Sequence, residues 1–394
     1  SREEGGTAMK DSRPFVLLGG SIAFGLGVLC GSLLSSLRSS GKSSDENPLP
    51  LPPSSPYADR RLKAGVIQDL ELAATLPYPL TPHPTSLDGH LVSTCVISKS
   101  KSIERLVRKT LSSRRVSGID DPSVTFETLV ELCLSKGATR LYVAGGFLRD
   151  LFQCAVAADD LDFIFKCGGG NLVPWLFKVA EGRGWPTKKK INQHDKQTRF
   201  DYVAVGKGKM KFSGHPIGSG CEGEFAMNTL LYDVKNAVVI DPTGFGVYDA
   251  VNFTLRIPVP EEGWMNWYEE DRLPGMKVLR YYNFCGRGYQ PIDNRTRSFI
   301  NSRMVHGLSS GPASPAADTL LTFFKRKLLD GERPEEEAAE KAYSWVCSVR
   351  AEMEKGGVDK DIVGKTVNSI RDILIEKGNA LPGLDTFLEK LVQG

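Results

Sequence analysis

Two aspartates, Asp160 and Asp162, flank Leu161 at the start of an apolar run that continues Phe163-Ile164-Phe165. Alternation along a strand puts both carboxylates on one face. Side by side they repel unless a divalent cation lies between them, the arrangement that holds Mg²⁺ against a nucleoside triphosphate. Asp159 adds an adjacent carboxylate, and Asp201 in Thr198-Arg199-Phe200-Asp201-Tyr202-Val203 could supply another from a neighbouring strand. Upstream, Arg140-Leu-Tyr-Val-Ala144 reads as a short strand running into Gly145-Gly146-Phe147-Leu148-Arg149-Asp150. Paired glycines let backbone approach phosphate, and a helix N-terminus offers N–H donors. Each piece alone is common: a double glycine is often a plain turn, and Asp-x-Asp often a solvated edge. The succession of strand, Gly-Gly-x-x-Arg-Asp turn, helix and Asp-x-Asp strand is far more specific.

That succession resembles the head domain of the tRNA CCA-adding enzyme and bacterial poly(A) polymerase family, whose signature runs GGxVRDxLLG…DxD. The likeness continues through Glu224-Phe225-Ala226-Met227-Asn228-Thr229-Leu230, which is similar to the family's RRDFTINA element. Val238 to Gly246 followed by Asp249 is similar to its IIDPxGGxxDL strand and turn, and Leu255-Arg256 falls at its closing LR. Val278-Leu279-Arg280-Tyr281-Tyr282-Asn283-Phe284 is similar to its neck helix ILRAxRF. The resemblance covers roughly residues 124–285. It implies an α+β nucleotidyltransferase-like head, a mixed sheet with helices, followed by an α-helical region. It also implies metal ligation by Asp160 and Asp162, and a nucleotide site at Gly145, Gly146, Arg149, Asp150 and Asn228. Mg²⁺ and a nucleoside triphosphate are the cofactors that such a site would take.

The departures weigh against catalysis. Where the family carries two arginines and an aspartate, this chain has Glu222, Gly223 and Glu224. A carboxylate there replaces attraction for polyphosphate with repulsion. The base-reading EDxxRxxR element becomes Leu273-Pro274-Gly275-Met276-Lys277-Val278-Leu279-Arg280, with Glu270 and Asp271 out of register. Proline and glycine break the helix that would present those side chains. The nucleotide site is therefore expected only as a vestige, with Asp160 and Asp162 catalytic only if the protein is active.

Several elements must position these residues. The pattern from Val124 to Gly137 reads as an amphipathic helix stopped by Gly137, and 318–329, 335–355, 358–377 and 383–392 all show helical apolar spacing. From Leu321 to Gly394 there are 12 Lys+Arg and 14 Asp+Glu, a net of −2, unlike the basic surface that grips RNA. RNA is accordingly not an expected partner. The basic runs Lys188-Lys189-Lys190 and Lys207 to Lys211 read as exposed loops or hairpin tips. A balance of 50 Lys+Arg against 47 Asp+Glu, with 41% apolar and 25% charged residues, excludes global disorder and a dedicated nucleic-acid coat. The eight cysteines are scattered without a CxxC pair and read as reduced thiols.

The front of the chain differs in kind. Pro14 to Leu37 is 24 residues without a charge, long enough at about 1.5 Å per residue to cross a bilayer. A secretory signal is the rival, but the apolar part is long and a polar tail precedes it. Gly19, Ala23, Gly27, Gly31 and Ser35 form one stripe of small residues, which suits close packing against another membrane helix. Ser and Pro make up 13 of the 22 residues from Ser35 to Pro56, which predicts an extended connector. Lys99 to Arg115 then holds seven basic residues against Glu104, with Ile103, Leu106, Val107 and Leu111 at helical spacing. This basic amphipathic helix could lie on anionic lipid, dock on an acidic partner, or simply present a solvated face. The organisation expected is a tail over 1–14, a transmembrane helix over 15–37, a Pro/Ser-rich linker over 38–100 and the basic helix over 101–119. The head follows over 120–258 and the helical region over 259–394.

The chain opens at Ser1 with Met9 inside, which reads as a mature chain freed of a leader. With no secretory signal core and reduced cysteines, the expectation is a single-pass protein of the mitochondrial inner membrane, with another organellar membrane as the alternative. Its expected role is that of an accessory or structural subunit of a multisubunit complex, for example an ATP synthase or respiratory complex. The transmembrane helix and linker would meet the other subunits and lipid. The alternative is a membrane-tethered, active tRNA nucleotidyltransferase or poly(A) polymerase adding nucleotides to RNA 3′ ends.

Overall fold

The computed structural model describes residues 71–72, 96–116, 118–154, 161–167, 172–192, 199–206, 210–213, 224–269, 275–331, 333–378 and 381–393. The Pro14 to Leu37 segment with its small-residue stripe, Asp159, Asp160, Glu222 and Gly223 lie outside these residues. No helix among the described residues is long and apolar enough to cross a membrane.

At the centre of the sheet is β3 (Ala138–Ala144), flanked by β4 (Leu161–Cys167) and β8 (Leu231–Asp233), both antiparallel to it. The remaining strands are β1 (Glu71–Leu72), β2 (Val96–Lys99), β5 (Thr187–Asn192), β6 (Arg199–Val205), β7 (Met210–Ser213) and β9 (Val238–Asp241). They form one mixed sheet ordered β1-β2-β9-β8-β3-β4-β7-β6-β5, in which only β4 and β7 run parallel. Alternation sorts the apolar residues: Leu141, Val143, Phe163, Tyr232 and Val239 enter the main core. Tyr142, Leu231, Val238 and Ile240 form a smaller cluster, against which Ala144 and Ile164 pack.

Helices cover the main-core face. In α1 (Lys101–Ser113), Ser100 caps the first turn by accepting from the Ile103 N–H at 3.0 Å, and Ile103, Val107 and Leu111 are buried. In α2 (Phe126–Ser135), Thr125 and Thr128 cap reciprocally, and Phe126, Leu129, Val130 and Cys133 are buried. Next come α3 (Gly146–Cys154), α4 (Leu172–Gly182) and the short α5 (Gly246–Val251).

The helical region begins with α6 (Trp264–Glu269) and α7 (Met276–Cys285). The start of α7 is Gly275 at φ 89°, a left-handed conformation that suits glycine, so the helix begins three residues into the altered base-reading element. Then follow α8 (Asn294–Leu308), α9 (Pro315–Phe323) running into a π-helical turn (Phe324–Leu328), α10 (Glu335–Lys355), α11 (Lys360–Lys377) and α12 (Leu384–Gln393). Trp345 on α10 donates to the Leu279 carbonyl at 3.0 Å and packs among Tyr282, Phe323 and Phe324. Glu352, 2% exposed, accepts from Tyr281 and Arg297 and pairs with Lys355, tying α7 and α8 to α10.

Four expectations change. The stretch read as linker over 38–100 contributes β1 and β2 to the sheet, because Ile97 and its neighbours pair with Ile240 and add to the small apolar cluster. Lys188 to Lys190 lie in edge strand β5 rather than in a loop, and Asp201 sits on β6, which β7 separates from β4. The basic helix ends at Ser113 rather than at 119, and Ile103, Val107 and Leu111 on its apolar face are buried in the head's core.

Candidate nucleotide site

Strand β3 delivers the Gly-Gly turn to one end of the sheet, and the antiparallel register sets Ala144 directly opposite Asp162. Asp162 is exposed there, beside the turn. The other half of the Asp-x-Asp pair, Asp160, lies outside the described residues, and no cluster of three metal-ligating side chains occurs among the described ones. Of the Asp-x-Asp pair, Asp162 is the member placed at this strand end among the described residues.

At the turn, Gly145 has φ 70°, a conformation that favours glycine. Its N–H donates to the Leu230 carbonyl at 3.2 Å, so one of the backbone donors expected for phosphate is spent on the fold. Arg149, one turn into α3, is 7% exposed. Its Nε and Nη2 both donate to Asp150 Oδ1, at 2.8 and 2.7 Å, and its Nη1 donates to Asn228 Oδ1 at 3.1 Å. The guanidinium carbon also lies 5.3 Å from the centre of the Phe284 ring on α7. Burial works against its charge, but the fields of Tyr289, Asp150 and Glu224 outweigh burial and hold it above the ordinary arginine range.

The chain of contacts continues. Asn228 Nδ2 donates to Glu224 Oε2 at 2.9 Å, and the other oxygen of Glu224 pairs with Arg280 Nη1 on α7. The Glu224 carbonyl accepts from Trp267 Nε1 at 3.1 Å, while Phe225 is buried against Trp267, Tyr281 and Phe284. Arg149, Asp150 and Asn228 thus meet beside the Gly145-Gly146 turn. Arg280, at the last arginine of the altered base-reading element, joins them through Glu224. Two arginines and two carboxylates, with one amide between them, make a cluster of zero formal charge. No single motif signals this cluster, since its members are 131 residues apart in the chain and meet only when α7 packs on the head.

The stretch similar to the family's Asp-Pro turn is structural here. Asp241 accepts from the Thr243 N–H and hydroxyl and from the Val247 N–H, and burial still pushes its carboxyl above the usual range. Asp249, fully buried, accepts from Arg256 Nε at 2.9 Å and Nη2 at 3.3 Å. Burial nevertheless pushes its pKa up to about 6. Arg256 in turn lies 4.1 Å over the Phe245 ring.

The sequence matches no protein-family model and no curated protein. It is similar to solved structures of tRNA-processing nucleotidyltransferases. A tRNA-processing enzyme with CTP is 16% identical, with a TM-score of 0.38 over 67% of this chain and 92% of that one. The Thermotoga maritima CCA-adding enzyme complexed with tRNA is 16% identical, with a TM-score of 0.37 over 68% and 74%. A CCA-adding enzyme with ATP is 13% identical, with a TM-score of 0.37 over 71% and 74%.

Proposed function

We propose that the protein is an accessory subunit of a multisubunit complex of the mitochondrial inner membrane, an ATP synthase or respiratory complex being the type of assembly that fits. Its nucleotidyltransferase-like head serves in this reading as a surface rather than a catalyst. The observation that carries the loss of catalysis is Glu222 and Gly223 standing where the family has two arginines, while Arg149 and Arg280 are engaged by Asp150 and Glu224. Cations that would otherwise face a triphosphate already have an internal counter-anion, and an incoming polyphosphate meets a carboxylate at close range. The membrane assignment rests on the uncharged Pro14 to Leu37 segment and its small-residue stripe.

The solved neighbours were captured with CTP, ATP or tRNA, which defines the assay. Purified protein given ATP or CTP, Mg²⁺ and tRNA lacking its 3′ end should add no nucleotides above background. Addition that disappears in Asp160→Ala and Asp162→Ala variants would establish the alternative, a membrane-tethered nucleotidyltransferase. The exposed Asp162 beside the Gly-Gly turn is the observation favouring that alternative. Recovery of the full chain alone, rather than within a large detergent-stable assembly, would overturn the subunit reading.

A further inference from the structure

Helix α1 turns its apolar side into the head, through Ile103, Val107 and Leu111, and leaves its opposite side to solvent. Lys101, Arg105 and Lys109 recur every four residues along that exposed side, with Arg108 beside them. Together with Glu104 and Glu127 they line an open basin. Glu104 takes one cation, pairing with Arg108 at 2.8 Å, yet the Arg108 side chain stays 73% exposed. Four cations against two carboxylates leave the basin net positive, and Lys99 and Arg115, both exposed, extend the positive surface at its two ends. Among the described residues, the hydrogen bonds and ion pairs of the cluster around Glu224 involve none of these side chains.

We infer that the exposed basic side of α1 is a docking surface for the phosphate-bearing headgroups of an anionic membrane. The inference rests on the reading of Pro14 to Leu37 as a membrane segment. Residues between Leu37 and Glu71, even fully extended at about 3.3 Å each, hold the sheet within about 110 Å of that segment. The bilayer is thus the one polyanion that the chain itself keeps in constant reach, and tethering makes even weak contacts populate. Lysines and arginines near an anionic leaflet add attraction that salt screens over roughly 10 Å. A helix whose apolar side is already covered cannot insert, so the contact is electrostatic and lies on the headgroups.

The test uses the full chain in nanodiscs of neutral phosphatidylcholine or of phosphatidylcholine with about a third anionic phospholipid. Acetylation of individual lysines by a water-soluble reagent is read by mass spectrometry. Lys101 and Lys109 should be modified at least threefold more slowly in anionic discs at low salt, on the order of what several screened contacts supply. The protection should vanish in high salt and in the Arg105→Glu/Arg108→Glu variant, while exposed Lys360 and Lys365 on α11 should not change. Equal modification in the two discs overturns the inference. So does equal protection by inorganic phosphate in neutral discs, which would make the basin a free-anion site. Failure of the chain to enter discs at all overturns the membrane segment itself, a result distinct from an embedded chain whose α1 stays open.

Discussion

Glu224 is the carboxylate at the middle of the charged cluster. Its two oxygens hold Arg280 and Asn228, and the pair with Arg280 is part-buried, with side-chain exposures of 21% and 30%. Glu224→Gln removes the charge and nearly keeps the shape, so Arg149 and Arg280 lose a shared counter-anion. ATP or pyrophosphate binding, measured by calorimetry, should tighten severalfold in this variant. Unchanged binding would show that the carboxylate is not what excludes anions. At Asp249 the pKa of about 6 lies above the unfolded value, so the fold binds this proton more tightly than the unfolded chain does. The associated stability is present below about pH 4 and lost as pH rises through about 6, on the order of 3 kcal/mol in total. Thermal melts of the protein should therefore fall relative to those of Asp249→Asn as pH rises from 4 to 7, because the neutral amide does not titrate. A protein melt that rises relative to Asp249→Asn over that window would mean that the Arg256 pair outweighs burial.

Glycine at an element's end can be a packing requirement rather than a hinge. Gly246 opens α5 where an added Cβ would stand 2.7 Å from the Ala226 carbonyl oxygen, 2.9 Å from Leu230 Cδ2 and 3.0 Å from Asp241 Oδ1. Backbone cannot give way as a side-chain tip can, so Gly246→Ala should cost about 1–3 kcal/mol. Gly364, inside α11 and exposed, has no heavy atom within 4 Å of its notional Cβ. There Gly364→Ala should stabilise by up to about 1 kcal/mol, because alanine loses less backbone entropy in a helix. Denaturant titration reads both, and equal signs would contradict the packing account. The Asp-Pro turn that precedes α5 is thus held by contact with the Ala226 to Asn228 turn, which also positions Asn228 for Arg149.

Across the whole molecule, α7 is the joint. It carries Arg280 to Glu224 on the head side, and on the other side Tyr281 and Leu279 meet Glu352 and Trp345 of α10. The head's charged cluster and the helical region's buried carboxylate are therefore coupled through one helix of ten residues. In the proposed reading, assembly is governed by the expected membrane segment. Gly27→Leu puts a branched side chain in the middle of the small-residue stripe, where it prevents close backbone approach. Co-purification of partner subunits in detergent should fall severalfold in this variant, by roughly the loss of one packed crossing. Undiminished recovery would show the stripe to be incidental.

Local chemistry was legible from the chain alone wherever one periodicity or one cap suffices. Helix α10 matches its apolar spacing residue for residue, and the Gly-Gly turn follows its strand because a left-handed position at Gly145 and the alternation in β3 are short-range constraints. The resemblance singled out Gly145, Gly146, Arg149, Asp150 and Asn228 motif by motif. Other features depended on distant pairings. Strands β1 and β2 hide in a stretch whose Ser and Pro content reads as linker, since a two- or four-residue strand has too little periodicity to register without its partner β9. The fate of Arg149 likewise could not be read from its own neighbourhood. It is settled by Asn228, Glu224 and Arg280, which tertiary packing brings together, and a charge is neutralised by whatever lies within a few ångströms in space, however far away in sequence.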